Sequence, residues 1–368
     1  MQTTKFCHTS VYIRDSLKLG TREKRGNGVR RKIADDVKIP SNWKSFLRVD
    51  ENKTELFAYL AHKVSLMTTE KVDVATCRDG VLITANATVD CSTVAPTNQE
   101  EADSRIFLHV QNAVNSGCEN VIIRTVDTDV VAIALSCFSE LNAKELWVAF
   151  GTGSNFRMIP IHSIHQNIGR VKSSVMHIFH AITGCDTVSF FYGKKKKTMW
   201  ETWTVYPELT GALLSISMQP NNVSDDVMKI VERFIVIAYD RTSDLRSVDA
   251  LRKRLYCKHS RMLDIPPTSA ALSQHVKRAA YQAGHIWAQC TSKQVILPSP
   301  GDWGWQKESE DGPWQPKWTT LRQAQDECME LISCKCKKSC SGRCGCRSHD
   351  LKCTQLCICD GKCYKDDE

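Results

Sequence analysis

Acidic residues are grouped in this chain as metal chemistry would need them. Glu101, Asp103, Asp127 and Asp129 fall between Asn98 and Asp129, with Glu100 beside them, and Asp186 closes the later stretch HIFHAITGCD. Carboxylates crowded together repel and raise one another's pKa, a cost that a divalent cation among them removes. Mg²⁺ and Mn²⁺ prefer oxygen ligands and stabilise both the attacking and the leaving oxygen of a phosphodiester. Taken singly, each acid has a plainer reading: Glu100, Glu101 and Asp103 at one helix start, Asp127 and Asp129 at the next. The set together points to a cation site.

Thiols form the second group. Of eighteen cysteines, nine fall in thirty residues: Cys334, Cys336, Cys340, Cys344, Cys346, Cys353, Cys357, Cys359 and Cys363. Their order is CxC, C, CxC, C, CxC, C. The odd count and the absence of an apolar leader disfavour a disulfide framework and favour metal thiolates, with a disulfide knot or fewer zinc ions as the plainer alternatives. Three tetrahedral Zn²⁺ need twelve sulfur bonds, which nine thiolates supply when three of them bridge. Lys335, Lys337, Lys338, Arg343, Arg347, Lys352 and Lys362 interleave the ligands and would offset their charge. So short a segment has almost no apolar core, so zinc would supply its folding energy.

The elements that position the acids follow from periodicity. Ile106, Val110, Ala113 and Val114 have helical spacing over 101–116, and Gly117 ends that helix. The β-branched run Val121 to Val126 predicts a parallel strand covered on both faces, with Asp127 and Asp129 at its carboxyl end, where ligands gather in open α/β sheets. Glu145 to Phe150 predicts another strand and Val171 to Ile182 a helix. Val72 to Ala75 and Val81 to Ala85 predict a strand pair turning at Asp79-Gly80. This alternation predicts a parallel α/β sheet over about 66–190. In 39–66, Leu56, Leu60 and Val64 share a helix face above Trp43 and Phe46. Helices dominate 198–285, notably Val227 to Ala238 and Ser269 to His285. Four tryptophans in the Pro- and Gly-rich 297–318 predict an irregular segment that packs back onto the main domain. His162, His165, His177 and His180 have a helical pair among them, a weak metal signal.

The order Glu-Ala-Asp, strand ending in Asp-Thr-Asp, then Gly-Cys-Asp resembles flap-endonuclease and XPG-type nucleases of the PIN-like superfamily. The resemblance implies that Glu101 and Asp103, Asp127 and Asp129, and Asp186 bind catalytic Mg²⁺ or Mn²⁺. It also implies a basic arch, onto which Lys18, Arg22, Lys24 and Arg25 map, and a glycine-lysine motif that grips DNA, to which Gly193 and Lys194, Lys195, Lys196 and Lys197 are similar. That family carries two further Asp residues upstream; His8 to Tyr12 offers none, so the chain resembles an amino-terminally shortened or decayed copy. The cysteine tail resembles the tesmin-type CXC domain, a DNA-binding zinc module, in its nine-cysteine order. It differs in a shorter gap between Cys336 and Cys340 and in Arg343 where that family has tyrosine. From end to end the chain is similar to uncharacterised animal proteins of mobile-element character.

Charge supports a polyanionic partner. The net charge is +8, and residues 1–48 alone hold twelve Lys and Arg against four acids. The basic run that includes Arg22, Lys24, Arg25, Arg30 and Arg31 suits a phosphate backbone, or alternatively a solvated loop or nuclear-import patch. With 42% hydrophobic and 24% charged residues the chain reads as globular, and no apolar run approaches a membrane span. The expected organisation is α/β: a basic arm and helix over 1–65, a parallel-sheet PIN/flap-nuclease-like core over 66–200, a helical extension over 201–296, a Trp/Pro-rich linker over 297–327 and a small zinc-stabilised tail over 328–368. The expected function is a metal-dependent, structure-specific nuclease on DNA or RNA, intracellular and nuclear, with no membrane partner. The alternative is a catalytically decayed protein that binds DNA through its CXC tail.

Overall fold

Two short β-sheets and a helical layer share the acid-bearing part of the chain. The computed structural model describes residues 4–8, 16–18, 28–38, 40–66, 72–76, 82–84, 92–256, 265–310 and 312–321, together with 334, 336, 340, 344–348, 353 and 357–359 of the tail. The chain divides into two compact units, Met1–Trp318 and Thr319–Glu368.

In the first sheet β1 (Thr4–His8) pairs parallel with β2 (Val72–Thr76), which pairs antiparallel with β3 (Leu82–Thr84). The strand pair expected from the sequence is therefore present, while its Asp79-Gly80 turn lies outside the described residues. Between β1 and β2 come α1 (Trp43–Phe46) and α2 (Asp50–Ser65). The expected apolar stripe of α2 is not its buried face. Asn52 and Ala61 are buried and Leu60 is exposed, because Asn52 Nδ2 donates to the carbonyls of Val29 and Phe46 and ties the helix to the preceding segment. Phe46 is buried, whereas Trp43 stacks on it from outside.

The second sheet carries the acidic block. Helix α3 (Ala102–Asn115) buries Val110 and Ala113 of the predicted stripe, with Ile106 and Val114 half-buried, and adds Phe107 and Leu108 to the buried face. Gly117 ends it at φ +92°, a left-handed conformation natural to glycine, with amides at 117 and 118 returning to Val114 and Ala113. Next, β4 (Asn120–Thr125) pairs parallel with β5 (Glu145–Phe150) in the register Asn120 to Glu145. The crossover between them is α4 (Thr128–Leu141), whose Val130, Ile133, Ala134, Cys137 and Leu141 are buried. β6 (Arg157–Pro160) then adds antiparallel to β5. The expected single parallel sheet is thus two mixed three-stranded sheets, each with one parallel pair. β4 is not covered on both faces: Ile123 is buried while Ile122 and Val126 are exposed.

Helices follow: α5 (Ile161–Ile168), α6 (Arg170–Ser174) and α7 (Met176–Ile182). The helix expected over 171–182 is two, broken at Val175. Then come α8 (Lys196–Val205), α9 (Leu209–Met218), α10 (Asp225–Tyr239), α11 (Val248–Tyr256) and α12 (Ser269–Ala279), the last passing into a π-helical turn over Ala280–Ile286. Ser224 and Thr268 cap α10 and α12 with their hydroxyls. One hydrophobic core runs from Phe107 through Phe179, Trp203, Phe234 and Trp287 to Trp305. The tryptophan-rich segment does return onto it. Trp303 and Trp305 are buried, Trp314 packs against the core, and Trp318 stays exposed beneath the Arg278 guanidinium. A short ladder of β7 (Trp305–Gln306) and β8 (Gln315–Pro316) closes that turn. Among the described residues no helix is long and apolar enough to cross a membrane.

Candidate metal centres

Asp127 and Asp129 reach the site because β4 ends at Thr125 and α4 begins at Thr128. Asp127 is the N-cap of α4, its Oδ1 accepting from the Asp129 amide at 2.9 Å. That bond is the helix-start role read as the plainer alternative. It uses one of the four carboxylate oxygens of this pair. Asp103, in the first turn of α3, completes a group in which Asp103, Asp127 and Asp129 each place a carboxylate oxygen within 4.8 Å of the others.

Glu101 stands at the N-cap of α3 but does not cap it. Its carboxylate instead accepts from Gln282 Nε2 at 3.2 and 3.1 Å and from Trp287 Nε1 at 3.1 Å. Lys18 Nζ lies 3.1 Å from Glu101 Oε1 and 3.8 Å from Asp103 Oδ2. His180 Nε2 meets Asp129 Oδ1 at 2.8 Å. The result is a chain of contacts, from Trp287 and Gln282 through Glu101 and Lys18 to Asp103, with the open carboxylate oxygens at its far end.

Electrostatics follow from this crowding. Burial pushes the Asp103 carboxyl up to about 7; Lys18 pulls it back, while Asp127, Glu101 and Asp129 push further. Asp127 is raised too, first by burial and then by Asp129 and Asp186, with the Asp129 amide holding it down. Lys18 is opposed by burial yet held protonated by Glu101 and Asp103. Asp186 is exposed and acts on Asp127 through its charge. The donors are all hard oxygens with too little positive charge among them, which fits Mg²⁺ or Mn²⁺ and not a soft metal.

The basic positions take separate places. Lys18 belongs to the acidic site itself. Arg30 bonds to Glu55 and to Asn52, and Arg31 is exposed. Arg22, Lys24 and Arg25 lie outside the described residues. In the lysine run, Lys195 and Lys197 are exposed and Lys194 lies 4.6 Å over the Tyr239 ring. Lys196, also exposed, bends its ammonium back to donate to the carbonyls of His180 and Gly184 and to Thr183 Oγ1 at 2.9, 2.6 and 3.0 Å, and desolvation of that ammonium brings it down to about 8.

The four histidines do not converge. His162 meets the Leu146 carbonyl, His165 meets Ser139, His177 is buried in the core and His180 binds Asp129. Sequence reasoning missed His180, Gln282 and Trp287 as parts of the acidic site. His180 could have been flagged as a polar residue in an apolar helix, but Gln282 lies 181 residues from Glu101 and carries no local signal.

The cysteines form a second centre. Three overlapping tetrads can each hold a metal ion: Cys334, Cys336, Cys340 and Cys344; Cys334, Cys344, Cys346 and Cys353; and Cys334, Cys353, Cys357 and Cys359. Sulfur pairs stand 3.7 Å apart for Cys334 and Cys340, 3.6 Å for Cys340 and Cys353, 3.9 Å for Cys344 and Cys353 and 3.7 Å for Cys346 and Cys357. A disulfide would bring them to about 2.0 Å. Thiolates about 2.3 Å from a tetrahedral Zn²⁺ are spaced at about 3.8 Å, so the donor set fits zinc. Eight of the nine predicted ligands are in these tetrads, and Cys363 lies outside the described residues. The Arg347 amide draws the Cys344 thiol down to about 6, and the Cys334 amide donates to Cys357 Sγ at 3.3 Å. Arg347 Nη1 donates to the Cys340 carbonyl at 3.0 Å.

Against known proteins, no family model, curated protein or solved structure matches this chain.

Proposed function

We propose that this chain is a divalent-metal-dependent phosphodiesterase of the flap or structure-specific nuclease type, acting on DNA or RNA, built on a PIN-like core and carrying a zinc-thiolate tail that contacts DNA. The observation that carries this reading is the convergence of Asp103, Asp127 and Asp129 oxygens within 4.8 Å, beside the Lys18 ammonium. Asp103, Asp127 and Asp129 would hold Mg²⁺ or Mn²⁺, with Asp186 adding charge from the exposed side. Bound there, the cation would activate water and stabilise the developing charge on the phosphate. His180 fixes the orientation of Asp129. Gln282 and Trp287 fix Glu101, which in turn holds Lys18 where its ammonium faces any phosphate brought to the acids. In the tail, Cys334, Cys344 and Cys353 recur among the tetrads, which supports three zinc ions joined by bridging thiolates. The basic arm and the cationic tail support a nuclear, nucleic-acid-bound protein.

A second reading has its own observation. Lys18 already neutralises Glu101 and Asp103, and Glu101 has both oxygens bonded within the protein. A chain built this way would hold nucleic acid without cutting it. Cleavage of labelled flap, nicked and single-stranded DNA with Mg²⁺ or Mn²⁺ separates the two. Activity lost in an Asp127→Ala, Asp129→Ala double variant supports the phosphodiesterase. Binding without cleavage, unchanged in that variant, supports the decayed protein.

A further inference from the structure

The loop from Gly184 to Gly193 joins the acidic site to the lysine run, and it is clamped along its length. The Cys185 amide donates to the Val188 carbonyl at 2.9 Å, and Thr187 Oγ1 donates to Gln282 Oε1 at 2.7 Å. Ser189 Oγ meets His275 Nδ1 at 3.3 Å, and Phe191 is buried with its ring 4.8 Å from the His275 ring. The Tyr192 carbonyl accepts from Tyr239 Oη, and the Lys194 amide returns to the Phe191 carbonyl. Gly184, at φ +112°, lies so close to Phe190 that an added Cβ would stand 2.8 Å from the Phe190 Cβ. With Phe191 pinned inward, its neighbours on either side point out of the fold. Phe190 is 71% exposed and Tyr192 52% exposed.

Two exposed aromatic rings on a loop held at so many points present apolar faces to a partner. The residues that flank them in the chain point to its chemistry. Asp186, at one end, acts on the acidic site; Lys195 and Lys197, at the other, are exposed cations. Aromatic faces beside lysines suit an unpaired nucleic-acid strand, whose bases stack on rings while its phosphates meet ammonium groups. A base inside a duplex has its faces already stacked.

Resting on the nucleic-acid reading above, we infer that Phe190 and Tyr192 form a stacking platform for unpaired nucleobases, which directs single-stranded or frayed segments to this site. The platform sets substrate class: strand ends, flaps and loops over continuous duplex.

The test uses the full zinc-loaded chain with Mg²⁺ and Mn²⁺ omitted, so that binding is read without turnover. Fluorescence anisotropy with a short oligothymidylate, and with an abasic strand of equal length, compares the wild-type chain with a Phe190→Ala, Tyr192→Ala double variant of equal helical content and zinc load. Stacking predicts about a tenfold loss of affinity per ring for the thymidylate. The abasic strand should bind both proteins equally weakly, and Phe190→Trp should retain binding. Equal losses on both strands, or no loss on either, would overturn the platform. Photo-crosslinking of a 4-thiothymidine strand, mapped by mass spectrometry, reads the same contact where the tail dominates affinity; adducts must fall within 184–197, and adducts only elsewhere count against it. A wild-type chain that shows the base-dependent contact yet never cleaves would sink the phosphodiesterase and leave the platform standing.

Discussion

Trp287 donates its indole N–H to Glu101 Oε2 at 3.1 Å across 186 residues of chain. This bond joins the helical extension to the start of α3 and fixes in place a carboxylate whose charge acts on Asp103.

Loss of that bond should be measurable as stability. Trp287→Phe keeps the ring and removes the donor to a charged acceptor, a loss of about 1.5–3 kcal/mol. Glu101→Leu leaves Lys18 without its nearest anion and should cost at least as much, since a partly buried charge loses its partner. Denaturant unfolding followed by far-UV circular dichroism reads both. A change below about 0.5 kcal/mol, the scale of an ordinary surface substitution, would show that the network is not structural.

Asp103 should make the metal-free protein less stable as pH rises. Its folded pKa, about 7, lies above the ordinary carboxyl value of 3.8, so the folded state keeps a proton that the unfolded chain has released. That contribution is whole below about pH 4 and is lost as pH climbs through about 7, at up to about 1.4 kcal/mol per pH unit. Thermal unfolding across this range should show the slope in the wild type and a flatter one in Asp103→Asn. A divalent cation should relieve the loss near neutral pH, because it replaces the proton. An unchanged slope in Asp103→Asn would assign the effect elsewhere.

Two buried histidines act in the opposite sense. Burial lowers His177 and His275 to about 4, and His275 Nε2 meets the Ile182 carbonyl at 2.8 Å. Both are neutral in the fold and near 6.5 when unfolded, so their contribution is present above about pH 6.5 and is lost as pH falls towards 4. His177→Leu should flatten the acid limb of the unfolding profile between those values. An acid limb as steep as that of the wild type would exclude His177 as its source.

Zinc content should depend on which cysteine is removed. Cys334, Cys344 and Cys353 each belong to more than one tetrad, while Cys336 belongs to one. Cys344→Ser should therefore lose more metal per chain in native mass spectrometry than Cys336→Ser, and chelation should unfold the tail outright. Equal losses in the two variants would argue against shared thiolates.

Much of this architecture is written locally. The β-branched run before Asp127 and the strand Glu145–Phe150 lie where the alternation of residue types puts them, because strand formation there needs only neighbouring side chains that fit a pleated surface. The cysteine order likewise predicts grouped thiols, since tetrahedral ligation limits how far apart ligands along a short loop can lie. The sequence by itself thus determined the acid-bearing strand-helix junction and the thiol cluster.

Tertiary structure decided what the acids do. Helical spacing shows that Glu101 and Asp103 share a helix start, but not that Gln282 and Trp287, from a π-helical turn and the residue after it, take Glu101 out of the open group. Nor does a basic arm show that Lys18 turns to the carboxylates, or that among three exposed lysines the Lys196 ammonium bonds back to the carbonyls of His180 and Gly184. Sheet pairing was equally hidden: β1 finds β2 across the whole basic arm. Each of these outcomes sums burial, charge and hydrogen bonding among groups far apart in the chain. A one-dimensional pattern carries no distance between such groups, and an acid's partner is chosen by distance.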